Sequence, residues 1–171
     1  MAGRISDRPT DDGYRQCVAM VVFNKKGLVL VAERIDIDEP AWQLPQGGID
    51  KQETALMAAN RELAEEIGTS AVTYLAEAKD WISYDIPSEL KHEWFKGKFR
   101  GQCVKLIAFC YTGHDNDIRL NSKSPEFRDW KWVELEALPD LIVLFKKVVY
   151  TMAVCEFTRV RNKLRQENLN S

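Results

Sequence analysis

The stretch Gly47-Gly48-Ile49-Asp50-Lys51-Gln52-Glu53-Thr54-Ala55-Leu56-Met57-Ala58-Ala59-Asn60-Arg61-Glu62-Leu63-Ala64-Glu65-Glu66-Ile67-Gly68 decides how this chain is read. A glycine-led turn runs into a short helix, expected from about Thr54 to Ile67 and stopped by Gly68. On that helix Glu62 and Glu65 lie three apart and Glu62 and Glu66 four apart, so all three carboxylates project from one face within reach of a common point. Such a group repels itself. Each like-charge pair costs a few tenths of a kcal/mol on an exposed helix, and carboxylates in a last turn also oppose the negative end of the helix dipole. A hard divalent cation would reverse both penalties. Oxygen donors with no cysteine or histidine nearby favour magnesium or manganese over zinc.

Written with its spacing, the segment is Gly47, five residues, Glu53, seven residues, Arg61-Glu62-Leu63, one residue, Glu65-Glu66, one residue, Gly68. It resembles the signature of the Nudix hydrolases, with polar or glycine residues matched at fixed separations. Thr69 stands where the family usually has an aliphatic residue. The resemblance continues through Asp12-Gly13-Tyr14-Arg15, Trp42-Gln43-Leu44-Pro45-Gln46, Pro125-Glu126-Phe127, Trp130-Lys131-Trp132-Val133 and Phe145-Lys146. Those blocks are similar to the branch holding bacterial RNA 5′-pyrophosphohydrolases and dinucleoside polyphosphate hydrolases. Between them the match loosens. Where the branch commonly shows Gly-Gln-Lys-Gln-Lys-Trp-Phe, this chain has Gly101-Gln102-Cys103-Val104-Lys105-Leu106-Ile107.

At 171 residues with 45% hydrophobic side chains, the chain has the size of one domain, expected to span 1–171. No stretch approaches the roughly 18 to 20 uninterrupted apolar residues of a membrane span, and the opening residues hold no apolar signal core, so a cytoplasmic address is expected. Cys17, Cys103, Cys110 and Cys155 form no Cys-x-x-Cys pair and read as buried reduced thiols. A formal net charge of -2 argues against binding nucleic acid through a large basic surface. Lys91, Lys96, Lys98, Arg100 and Lys105 are nevertheless interleaved with Trp94, Phe95 and Phe99. That mixture suits stacked bases and phosphates, and equally a solvated loop with its aromatics folded onto the core. Arg159, Arg161, Lys163 and Arg165 read as a solvated helix end.

Strands are expected over Gln16 to Phe23 and Leu28 to Glu33 around a hairpin turn at Asn24-Lys25-Lys26-Gly27, then over Val72 to Lys79, Trp81 to Ile86, Gln102 to Tyr111 and Trp130 to Val133. Arg34 to Ala41 and Pro87 to Phe99 read as loops, and Phe145, Val148, Val149, Met152 and Val160 recur at the spacing of a last helix. Strands with a central and a terminal helix indicate an α/β protein with a mixed sheet packed between helices. The resemblance implies the same, a Nudix-type α/β/α sandwich.

Hydrolysis of a polyphosphate must overcome repulsion of hydroxide by an anionic phosphorus centre and charge on the leaving phosphate, and divalent ions address both. Glu62 and Glu66, one turn apart, are first choices as metal ligands, with Glu65 completing or tuning the site. Arg61 and Glu53, eight residues apart, suit an ion pair that orients those carboxylates. Gly47 and Gly48 would let the backbone approach, Gly47 offering a carbonyl to metal. The resemblance implies that Glu126 is a further ligand or the general base, that Arg15 and Arg34 meet phosphates, that Lys105, which carries over with Gly101 and Gln102, is a substrate-binding residue, and that Phe145 with Lys146 holds a base. Tyr84 would hydrogen-bond a phosphate or face a base. His92 and His114 have no partner at ligand spacing, and serine-hydrolase and P-loop motifs are absent.

These readings converge on a magnesium- or manganese-dependent pyrophosphohydrolase acting on a 5′-triphosphorylated RNA end, a dinucleoside polyphosphate, or both. No membrane and no obligate protein partner are expected. Two alternatives stand beside it: a non-catalytic nucleotide-binding module, which would have no use for three mutually repelling carboxylates, and a housecleaning mononucleotide pyrophosphatase.

Overall fold

A computed structural model describes residues 13–37 and 41–171, with the backbone of 4–6. Asp12 and the Asp38-Glu39-Pro40 part of the acidic loop lie outside the described residues.

The organising strand is β2 (Tyr14–Phe23), apolar at nearly every position from Cys17 onward because both of its faces are covered. It runs parallel to β8 (Gly101–Tyr111) over the full register from Tyr14 opposite Gly101 to Phe23 opposite Cys110. Antiparallel strands extend the sheet on either side. β7 (Trp81–Asp85) pairs with β8 and with β1 (Arg4–Ser6), while β3 (Val29–Arg34) pairs with β4 (Trp42–Gln43) and β9 (Phe127–Val133). β5 (Gln46–Gly48) joins β2, and β6 (Val72–Glu77) joins β8.

Alternation along β2 builds two cores. Cys17, Ala19, Val21 and Phe23 face α3 (Lys147–Leu169), meeting Tyr150, Ala153 and Phe157. Val18, Met20 and Val22 face α1 (Ala55–Glu66), meeting Ala58, Ala59, Leu63 and Ile67. A short α2 (Leu138–Leu141) packs beside α3. The sheet thus lies between helices, the α/β arrangement expected.

Several local expectations change. The turn after β2 forms, with Asn24 Oδ1 accepting from Lys26 N–H and Leu28 N–H, yet β2 and β3 pair only at Phe23 and Val29 and then diverge to other partners. The glycine-led turn at Gly47-Gly48 belongs to a strand, Gln46–Gly48, and β9 begins at Phe127 rather than Trp130. Arg161 is buried against Glu136 at 2.6 Å and Arg165 meets Glu134 at 2.7 Å, so this basic cluster pins α3 to the preceding turn instead of being solvated throughout. Cys17 and Cys103 are buried, whereas Cys155 is exposed and Cys110 is partly so; all four are free. Among the described residues no helix is long and apolar enough to cross a membrane.

Candidate functional site

Helix α1 begins where Thr54 Oγ1 accepts the Met57 N–H at 3.2 Å, and it ends before Gly68, whose φ of +67° favours glycine. Between these stops the buried face carries Ala58, Ala59, Leu63 and Glu66. Glu66 therefore continues an apolar stripe and is drawn under the sheet edge, 7% exposed. Its Oε2 accepts the Gln46 N–H at 3.1 Å, and its Oε1 is buried without a hydrogen-bond partner. Burial first, then the charges of Glu126 and Glu62, push its carboxyl well above the usual range.

Glu62 is half buried, and burial raises its pKa despite the neighbouring cation. It accepts from Arg61 Nη1 at 2.7 Å. Arg61 also holds Glu53 with Nε at 2.7 Å and Nη2 at 2.9 Å, and Nη2 reaches the Gly48 carbonyl at 3.0 Å. One guanidinium thus ties the helix to the turn before it. The same pair drops the Glu53 carboxyl to about 2.

The space these groups enclose is double. A cleft of about 460 Å³ is lined by Arg15, Arg34, Asp36, Gln46, Gly47, Gly48, Glu62, Glu93, Trp94, Phe95, Gln102 and Glu126, among others. A second recess of about 400 Å³ is lined by Glu62, Glu65, Glu66, Glu126 and the Ser122–Ser124 segment. Glu62 and Glu126 border both.

A divalent cation fits this donor set. The residues supply oxygen alone, one oxygen of Glu66 is buried and unpartnered, and the charge of Glu126 adds to burial in raising the proton affinity of both Glu66 and Glu62. The expected convergence of the three helix carboxylates is nonetheless corrected. Among the described residues no three acidic, thiol or imidazole side chains gather closely enough to hold an ion by themselves. Glu65 is 60% exposed and leans toward Arg61 at 3.4 Å, because its position turns it off the buried face. Glu126, from the loop before β9, is the acid whose charge bears most on Glu66, and it lines the recess together with Glu62, Glu65 and Glu66.

Arg15 and Arg34 line the cleft. Arg15 lies over Gly48, where a Cβ would stand 2.4 Å from its guanidinium. Arg34 follows a bulge in the β3–β9 ladder, and Asp36 grips it at both ends, at 2.6 and 2.5 Å. The loop behind it is pinned to β9, since Arg128 donates to the carbonyls of Arg34, Ile35 and Ile37, and Ile35 N–H donates to the Glu126 carbonyl.

Four other expected residues do not line the cleft. Lys105 donates to the Lys79 carbonyl at 3.0 Å and lies over Trp81, away from the site, as its alternation on β8 requires. Tyr84 is buried, and its hydroxyl donates to Gln102 Oε1, so it supports a residue of the cleft wall rather than presenting itself. Phe145 packs against Tyr84 and Trp94, and Lys146, 2% exposed, lies against the other side of that wall with Nζ 4.7 Å from the Trp94 ring centre. Burial, and then Arg34, lower the Lys146 pKa to about 7.

Asp36, Gln46, Glu93 and Gln102 are cleft residues that sequence reasoning did not assign. Gln102 carried a signal, being one of the positions kept in the loosened block. Trp94 and Phe95, left undecided between stacking and core, line the cleft.

Residues 13–152 match the NUDIX domain, and the chain belongs to the Nudix family. It is 45% identical over 147 residues to the RNA pyrophosphohydrolase of Zymomonas mobilis, covering 85% of this chain and 95% of that one. It is 49% identical over 148 residues to the RNA pyrophosphohydrolase of Novosphingobium aromaticivorans, covering 84% and 92%. Among solved structures it resembles a C. elegans Ap4A hydrolase complex, with a TM-score of 0.62 and 19% identity over 85% of this chain and 98% of that one. It also resembles the E. coli dihydroneopterin triphosphate pyrophosphohydrolase, with a TM-score of 0.58 and 19% identity over 92% and 99%. These two likenesses concern the fold.

Proposed function

We propose that this Nudix hydrolase removes pyrophosphate from the 5′-triphosphate end of RNA. The observation that carries the reading is the identity to RNA pyrophosphohydrolases over most of their length, 95% of the Zymomonas chain. The cleft suits it. Arg15 and Arg34 bring two permanent positive charges to the cleft that Glu62 and Glu126 also line, so a polyphosphate there meets both cationic partners and a metal seat.

Glu62, Glu66 and Glu126 would hold magnesium or manganese, with Gly47 offering its carbonyl beside them. A bound ion of that kind supplies charge neutralisation at phosphoryl oxygens and an acidified water. Arg61 fixes Glu62 in register with the turn. Glu126 borders both spaces and Glu65 lines the recess it shares with Glu62 and Glu66, so either would take the proton from attacking water. Phe145 and Lys146 act from behind Trp94, the first as packing and the second as charge. A cytoplasmic address would follow from such a substrate.

Dinucleoside polyphosphates present the same anhydride and are the second substrate to test. Triphosphorylated RNA and diadenosine tetraphosphate should be assayed side by side with magnesium, with a mononucleotide panel in parallel. Release of pyrophosphate or orthophosphate from the RNA is expected. Inactivity on both main substrates overturns the assignment, and activity on mononucleotides alone turns it toward housecleaning.

A further inference from the structure

The loop from Pro87 to Phe99 places two consecutive rings where three cations from other parts of the chain meet. The Arg15 guanidinium, from β2, lies 4.6 Å from the Phe95 ring centre. Arg34, at the end of β3, lies 6.0 Å from the Trp94 ring centre, and Lys146, before α3, lies 4.7 Å from it. These are the distances at which a ring face attracts a cation.

Nothing local favours the conformation that presents these rings. Phe95 and Lys96 both take positive φ, +55° and +53°, a region that bulky side chains avoid. Surrounding contacts hold the pair there. Trp94 meets Phe145 edge to face with ring centres 5.7 Å apart, and Phe95 meets Phe99 in the same way at 5.9 Å. Phe145 leans in turn on Tyr84, whose hydroxyl donates to Gln102 in the cleft. Backbone strain maintained by packing at the edge of a site indicates that the placement serves the site.

We propose that Trp94 and Phe95 are positioning residues that hold Arg34 and Arg15 in place to receive the substrate's phosphates, with Lys146 adding its charge from behind Trp94. Left without the rings, the like charges of Arg15 and Arg34, with Lys146 behind them, repel one another unscreened, and the long Arg15 side chain regains its rotamer freedom. The rings offset the repulsion with their negative faces and fix where the charges stand. They bind no base in this role, since cations occupy their faces. The proposal rests on the reading that the cleft receives a polyphosphate end, and it assigns a use to the aromatic-and-basic stretch that sequence alone left open.

The test compares Trp94→Leu and Phe95→Leu, which keep apolar bulk but lose the ring face, with Trp94→Phe and Phe95→Tyr, which keep it. Each is assayed on 5′-triphosphorylated RNA with magnesium and titrated with inorganic tripolyphosphate, and melting temperatures are recorded. The leucine variants should raise KM roughly five- to tenfold and weaken tripolyphosphate binding in parallel, with kcat within about twofold. The aromatic variants should stay near the wild-type KM. Unchanged KM in both leucine variants, or equal impairment of leucine and aromatic variants, overturns the proposal. If the wild type fails to hydrolyse the RNA while tripolyphosphate binding still weakens in the leucine variants, the RNA reading falls and the positioning role is supported.

Discussion

A Cβ placed on Gly47 would stand 1.9 Å from the carboxyl carbon of Glu62, so strand β5 and helix α1 touch through a contact that only glycine permits. Arg61 holds the two sides together by bonding Glu62, Glu53 and the Gly48 carbonyl at once. The turn and the C-terminal half of the helix are therefore one mechanical unit.

Gly47→Ala should break that unit. Glu62 must move, or the strand must, and crowding of this kind costs about 1–3 kcal/mol. Misplacing a reacting group by about 1 Å costs on the order of a hundredfold in rate. Turnover is expected to fall by that order while far-ultraviolet circular dichroism is retained. An alanine variant with wild-type kcat would show that Glu62 need not stand where it does.

Glu66→Gln tests the metal seat through stability as well as rate. A carboxyl whose folded pKa lies above its unfolded value destabilises the fold at pH above the folded pKa, and the penalty fades as pH falls toward the unfolded value. Removing the charge should leave the melting temperature without divalent ions at pH 7 equal to or above that of the wild type. The rise on adding magnesium or manganese should shrink, and turnover should fall by on the order of a hundredfold or more. A variant that melts like the wild type with and without metal and turns over normally would exclude Glu66 as a ligand.

What could be read ahead of the structure was what the chain encodes over short distances. Thr54, Gly68 and the spacing of Glu62 and Glu66 belong to one helix, whose period is fixed, so its bounds and the Glu53–Arg61 pair were legible. β5 was missed because Gln46-Gly47-Gly48 carries no alternation, and its strand character comes from pairing with Cys17 to Ala19. The approach of Glu126 to Glu66 spans sixty residues and depends on β9 pairing with β3. Lys105 was misplaced because its face follows from the β8 register with β2, which resemblance across a loosened block does not convey. Asp36 beside Arg34 lay close in sequence but read as one acid among several in a polar loop.

That Asp36 contact has its own consequence. Its carboxylate occupies Nε and Nη2 of Arg34, and a phosphate reaching Arg34 must displace it. Exposed pairs contribute about 1 kcal/mol or less, and Asp36 is 61% exposed. Asp36→Asn should thus lower KM for triphosphorylated RNA by no more than about fivefold at low salt, with the advantage vanishing in high salt. A rise in KM would mean that Asp36 orders Arg34 for the substrate rather than competing with it.

Lys146 sets the expected dependence on pH. Its folded pKa of about 7 lies below the ordinary lysine value of 10.5, so the folded protein sheds this charge first, and stability gains from Lys146 as pH rises from about 7 toward 10.5. Attraction for phosphate runs the other way. Through the Trp94 wall the ammonium adds to the field of Arg15 and Arg34 below pH 7 and is lost above it. The profile of kcat/KM, which reports the free enzyme, should fall across a pKa near 7. Lys146→Arg, charged throughout, should keep kcat/KM level to higher pH, and Lys146→Met should flatten the same limb at roughly a tenth of the wild-type plateau. A wild-type limb retained in the methionine variant would assign that titration to another group.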